Sequence, residues 1–153
     1  MSSEPQLWMK RVKSVEREYL ASRLAIDRVG STIASNPTIL GEIVKVRDVL
    51  QSDANLEGTY IIRIFAEFET GLRKFWNRKR PEEHKKNTPA EVLVDQVAAE
   101  AHVPDDVIVR VHNVRELRNL LVHETDEPLA KMQIRDVRSC LCTYLHNLYT
   151  IWH

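Results

Sequence analysis

Thr59-Tyr60-Ile61-Ile62-Arg63-Ile64-Phe65-Ala66-Glu67-Phe68-Glu69-Thr70-Gly71-Leu72-Arg73-Lys74-Phe75-Trp76 decides the fold. Ile61, Phe65, Phe68, Leu72 and Phe75 recur at alternating four- and three-residue steps, which sets them in one stripe along a helix. The spacing predicts a helix over about Glu57 to Arg80, its stripe turned to the core. The helix closes on Arg78-Lys79-Arg80, cations where the helix dipole favours them.

Upstream, Leu7, Trp8, Val12, Val15, Tyr19, Ala25, Ile26, Val29 and Ile33 predict a long first helix from about Glu4 to Ala34. It ends at Asn36-Pro37, because a residue before proline avoids helical angles. A shorter helix is expected from Pro37 to Leu50, and Ser52-Asp53-Ala54-Asn55 reads as a turn. Downstream, Thr88-Pro89-Ala90-Glu91 reads as a helix start, with a threonine cap, proline at the first position and glutamate at the third. That helix runs to about His102. Another follows from Asp105 to Glu124. A last one runs from Leu129 to Tyr149 or beyond, with Met132, Val137, Leu141, Leu145 and Leu148 inward.

The expectation is an all-α protein: one domain over residues 1–153, an up-and-down bundle of five to six helices. Four glycines and six prolines in 153 residues agree with few breaks, and 43% hydrophobic residues can fill a core. The 22 basic and 22 acidic residues balance, whereas a strongly basic nucleic-acid binder shows an excess, so any such contact must come from a local patch. No apolar run approaches membrane-spanning length, and no N-terminal leader pattern is seen. A cytoplasmic protein without membrane contact is expected. Cys140 and Cys142, two apart, point to roughly opposite sides of a helix. They are read as buried thiols, neither paired nor zinc-binding.

The chemistry-bearing residues gather on the helix of Asp105 to Glu124. Its inner stripe is Ile108, Val111, Val114, Leu117 and Leu121. His112, Glu116, Asn119 and His123 fall at i, i+4, i+7 and i+11 and line a second face. Arg118 and His123 are five apart, about 140° around an ideal helix, so they converge only near a frayed helix end or across two copies of the helix. With 14 arginines and 6 histidines, a chance pair at this spacing is expected about half a time, so the spacing alone carries little weight.

The context carries more. Val114-Arg115-Glu116-Leu117-Arg118-Asn119-Leu120-Leu121-Val122-His123-Glu124 resembles the signature helix of the HEPN superfamily, in which an arginine, a polar residue after it and a histidine four to six residues on recur. The stretch Thr59–Trp76 resembles an earlier HEPN helix, and the similarity spans roughly residues 50 to 150 in order. The long first helix has no clear counterpart there. The resemblance implies a helical, commonly dimeric domain whose two signature helices meet across a cleft. It implies a metal-independent endoribonuclease of toxin–antitoxin, defence or RNA-processing systems, or a relative that has lost catalysis and binds RNA, a nucleotide or a protein.

On that basis Arg118, Asn119 and His123 are the expected catalytic residues. Glu69, Arg73, His112, Arg115 and Glu116 are expected to support the cleft or bind RNA, although Glu69 and Arg73 at i, i+4 also suit a plain helix salt bridge. RNA supplies its own nucleophile, the ribose 2′-hydroxyl. His123 can move a proton near neutral pH, Arg118 can hold phosphate oxygens, and Asn119 lies on one face with His123. The products would be a 2′,3′-cyclic phosphate and a 5′-hydroxyl. No metal and no cofactor are expected; the expected partners are RNA, a second copy of the chain and an antitoxin protein. The run Arg73-Lys74-Phe75-Trp76-Asn77-Arg78-Lys79-Arg80, with Lys85 and Lys86, suits either a phosphate track with Trp76 as a stacking platform or a helix end with a buried tryptophan.

Overall fold

The structure, a computed structural model, describes residues 4–83, 87–123 and 132–152. It is an all-α helical bundle: α1 (Glu4–Ile33), α2 (Val46–Lys79), α3 (Ala90–Ala101), α4 (Asp105–His123) and α5 (Ile134–Asn147), with a 3-10 turn at Pro37–Leu40. No strand occurs among the described residues.

The Thr59–Trp76 stripe forms the centre as expected. Ile61, Phe65, Phe68, Leu72 and Phe75 are all buried, joined by Ile64 and by Trp76. Phe68 packs edge-on against Tyr144 with ring centroids 5.3 Å apart, and Phe75 against Trp152 at 5.0 Å. These two contacts advance together along α2 and the C-terminal segment, so α5 runs parallel to α2. Cross-helix pairs fix α1 the other way: Glu4 with Arg78, Arg11 with Glu67, Glu18 with Arg63 and Arg23 with Asp53. As numbers rise in α1 they fall in α2, so these two neighbours are antiparallel.

Two elements differ from the sequence reading. Ser52-Asp53-Ala54-Asn55 is helical, inside a 34-residue α2. Asp53 would favour a turn by bonding its own backbone, but its carboxylate is taken by Arg23 of α1, which also donates to the Asp53 carbonyl at 3.3 Å. The expected Pro37–Leu50 helix is split: Pro37–Leu40 is the 3-10 turn, Gly41 takes a φ of +70° that a helix cannot continue through, and Val46–Leu50 is helical as the start of α2. At α3 the cap position falls on Pro89 with no side-chain bond, rather than on Thr88. The Thr88 carbonyl accepts instead from Arg73 Nη2 at 2.8 Å. The start of the last helix at Leu129 lies outside the described residues; Met132 and Gln133 precede α5.

The core does not extend along the whole of α1 and α2. Between Leu20 and Tyr60 no residue is buried, and Leu20, Leu24, Ile43, Val46 and Leu50 are exposed. Within the core, α1 closes on α2 at Gly71, where an added Cβ would stand 2.9 Å from Cδ2 of the buried Trp8 ring. Gly71→Ala is expected to lower stability by about 1–2 kcal/mol: overpacking of about 1–3 kcal/mol outweighs the helix-propensity gain of about 0.5–1. Denaturant titration checks it; a more stable variant would refute the close-approach reading.

Candidate functional site

The described core leaves a polar seam where α2, α3 and α4 meet. Its first component is Arg118. The guanidinium lies over the Phe65 ring, 4.8 Å from its centroid, and its Nη2 stands 3.5 Å from Glu69 Oε2. Glu69 is shared, since its other oxygen accepts from Arg73 Nη2 at 2.5 Å. The i, i+4 pair Glu69–Arg73 therefore forms as the helix spacing suggested, and it also serves a third residue on another helix. All three side chains keep roughly a quarter of their surface exposed. Arg118 Nε is buried with no hydrogen-bond partner among the described residues.

The second component lies between α3 and α4, which run antiparallel. His112 Nε2 is 2.7 Å from Asp95 Oδ1, and Arg115 Nε donates to His112 Nδ1 at 3.3 Å. A carboxylate at Nε2 and an arginine donor at Nδ1 assign the hydrogen to Nε2. Arg115 Nη2 lies 3.8 Å from Glu116 and 3.9 Å from Glu91, ion-pair separations beyond a hydrogen bond. Asp95 was not picked out from the sequence. The available signal was the i, i+4 acidic pair Glu91 and Asp95, which meets Arg115 and His112 at i, i+3 once the two helices lie antiparallel.

The third component is the end of α4. The helix is regular through His123, so Arg118 and His123 project about 140° apart. Arg118 leans on α2, Asn119 is half-buried and His123 is exposed. The structure thus joins Glu69, Arg73 and Arg118 in one cluster, and His112 and Arg115 in the next. Within one chain it leaves His123 at the open end. Glu116 is exposed beside Arg115.

The basic run of α2 is not a free phosphate track. Trp76 is buried and its Nε1 donates to the Glu83 carbonyl at 3.0 Å. Arg78 pairs with Glu4 and Arg80 with Glu100. Lys85 and Lys86 lie outside the described residues. On the other flank of α4, a cavity of about 260 Å³ is lined by Arg110, Asn113, Asp136, Cys140 and Thr143 among others. Burial pushes the Cys140 thiol up to about 11, which keeps it protonated and unreactive at neutral pH. Cys142 is raised for the same reason, and both cysteines are free.

Among the described residues no three His, Cys, Asp or Glu side chains gather at one point. No described helix is long and apolar enough to cross a membrane. No protein-family model, no curated protein and no solved structure matches the chain.

Proposed function

We propose that the chain is a HEPN-type endoribonuclease that cuts RNA by attack of the 2′-hydroxyl on the adjacent phosphate and requires no metal. The observation that carries the reading is the placement of Arg118. It is held on a core aromatic ring and a carboxylate, one residue before Asn119 and five before an exposed histidine. A guanidinium fixed in this way is preorganised for phosphate, and fixed charge is what stabilises a charged phosphorane. His123, open to solvent, moves the proton.

The 140° between Arg118 and His123 gives the reading its second part, a homodimer. Two α4 helices meeting face to face would bring His123 of one copy toward Arg118 of the other. They would also supply two histidines, one as base and one as acid. Cytoplasmic toxin or defence work, with an antitoxin protein as a further partner, rests on the resemblance alone.

One observation favours a second reading. Glu69 already neutralises Arg118, as in a structural pair, and this suits a non-catalytic HEPN-like dimeric module that binds RNA, a nucleotide or a partner protein. Incubation with single-stranded RNA in EDTA separates the two. The expected result is cleavage to 2′,3′-cyclic phosphate and 5′-hydroxyl ends, with a 2′-O-methylated strand left intact. Binding without cleavage across varied RNAs would support the module instead.

A further inference from the structure

We infer that Arg115 binds a second phosphate of the RNA strand, next to the one assigned to Arg118, and that Asp95 and His112 hold it there. The inference rests on the reading of α4 as an RNA-binding helix and names how that helix takes more than one nucleotide.

Three arginines line the seam, and their partners differ in kind. Arg73 is engaged by the Glu69 carboxylate and the Thr88 carbonyl, both at hydrogen-bond distance. Arg118 is countered by Glu69. Arg115 is oriented by a neutral imidazole, through Nε alone. An imidazole that accepts a hydrogen bond fixes a guanidinium without cancelling its charge, whereas a carboxylate does both. Asp95 makes the imidazole an acceptor: by taking the Nε2 hydrogen it leaves the lone pair on Nδ1 facing Arg115.

The rest of Arg115 is underused. A guanidinium has five N–H donors in a rigid fork suited to phosphate oxygens. The carboxylates near its Nη2 belong to Glu91 and Glu116, about two-thirds exposed and too distant to accept a hydrogen bond. Exposed pairs of that kind are weak and readily displaced by a better anion. The Arg115 side chain itself is only 14% exposed, so its position is set by packing, and a phosphate arriving there meets donors that are already ordered. Arg115 and Arg118 are one helical turn apart, about 5–6 Å between Cβ atoms, which suits successive phosphates of one strand.

The full chain, wild type and variants, is titrated with a short 2′-O-methylated single strand at several salt concentrations, by fluorescence anisotropy. Such a strand binds without being cut, so affinity is read apart from catalysis. Arg115→Ala is expected to weaken binding about tenfold and to reduce the slope of log K against log salt by about 0.7, the loss of one phosphate contact. Arg115→Gln, closer in shape, should do the same and serves if the alanine variant does not fold. His112→Ala should lose much of that affinity, with little further loss when combined with Arg115→Ala. His112→Asn, whose amide oxygen can stand near the Nδ1 position as a neutral acceptor, should restore it. If wild type binds, Arg118→Ala weakens binding and neither Arg115 variant does, the second-phosphate site is overturned and the RNA-binding reading stands. If wild type does not bind the strand, both fall.

Discussion

His123→Ala is expected to slow RNA cleavage by about 10²–10⁴-fold, the range for removing a general acid or base, while leaving the fold unchanged. The side chain is exposed at the last residue of α4, where substitutions shift stability by about 0.5 kcal/mol or less. Loss of rate with an unaltered melting curve is therefore a statement about chemistry. Arg118→Ala is a less clean probe. It removes the contact over Phe65, of order 0.5–2 kcal/mol, and leaves Glu69 with only Arg73, so part of any lost activity would come from a loosened seam. Unchanged cleavage by a folded His123→Ala variant would overturn the proposed mechanism.

Phe68→Ala is expected to destabilise the chain by about 3–5 kcal/mol. Phe68 has no exposed surface, lies on the central stripe of α2 and packs against both Phe65 and Tyr144. The hole cannot collapse easily, because Tyr144 is tethered by its hydroxyl, which donates to the Val94 carbonyl at 2.7 Å. For a domain near this size each kcal/mol is worth about 2–4 °C, so a fall in Tm on the order of 10 °C is the expected reading. A shift within 2–3 °C, about 1 kcal/mol, would mean that the centre of the bundle lies elsewhere.

These two residues also mark what was legible in the sequence. Phe68 was readable because burial imposes a period, and Ile61, Phe65, Phe68, Leu72 and Phe75 carry it without interruption. His123 was readable only through a motif. The pairing of the arginines and His112 earlier on α4 was not, because it depends on how helices are rotated against each other. Glu69 and Arg73 could be matched by spacing along one helix, but the reach of Arg118 to Glu69 and of His112 to Asp95 crosses between helices. The Ser52–Asn55 segment shows the same limit from the other side. Its local preference was for a turn, and a single arginine from α1 outweighed it.

The stretch from Leu20 to Tyr60, in which no residue is fully buried, has a thermodynamic consequence. Opening a segment costs in proportion to the apolar surface it exposes, and before Leu56, Gly58 and Tyr60, which reach the core and Leu121 of α4, this stretch has no fully buried side chain to expose. The α1–α2 extension therefore forms a separate cooperative unit of low local stability, joined to a bundle whose amides are protected by the whole core. Exchange of its backbone hydrogens proceeds by hairpin opening, while that of Phe65 or Leu141 waits on global unfolding. A single melting temperature for this chain reports the bundle and is silent about the extension.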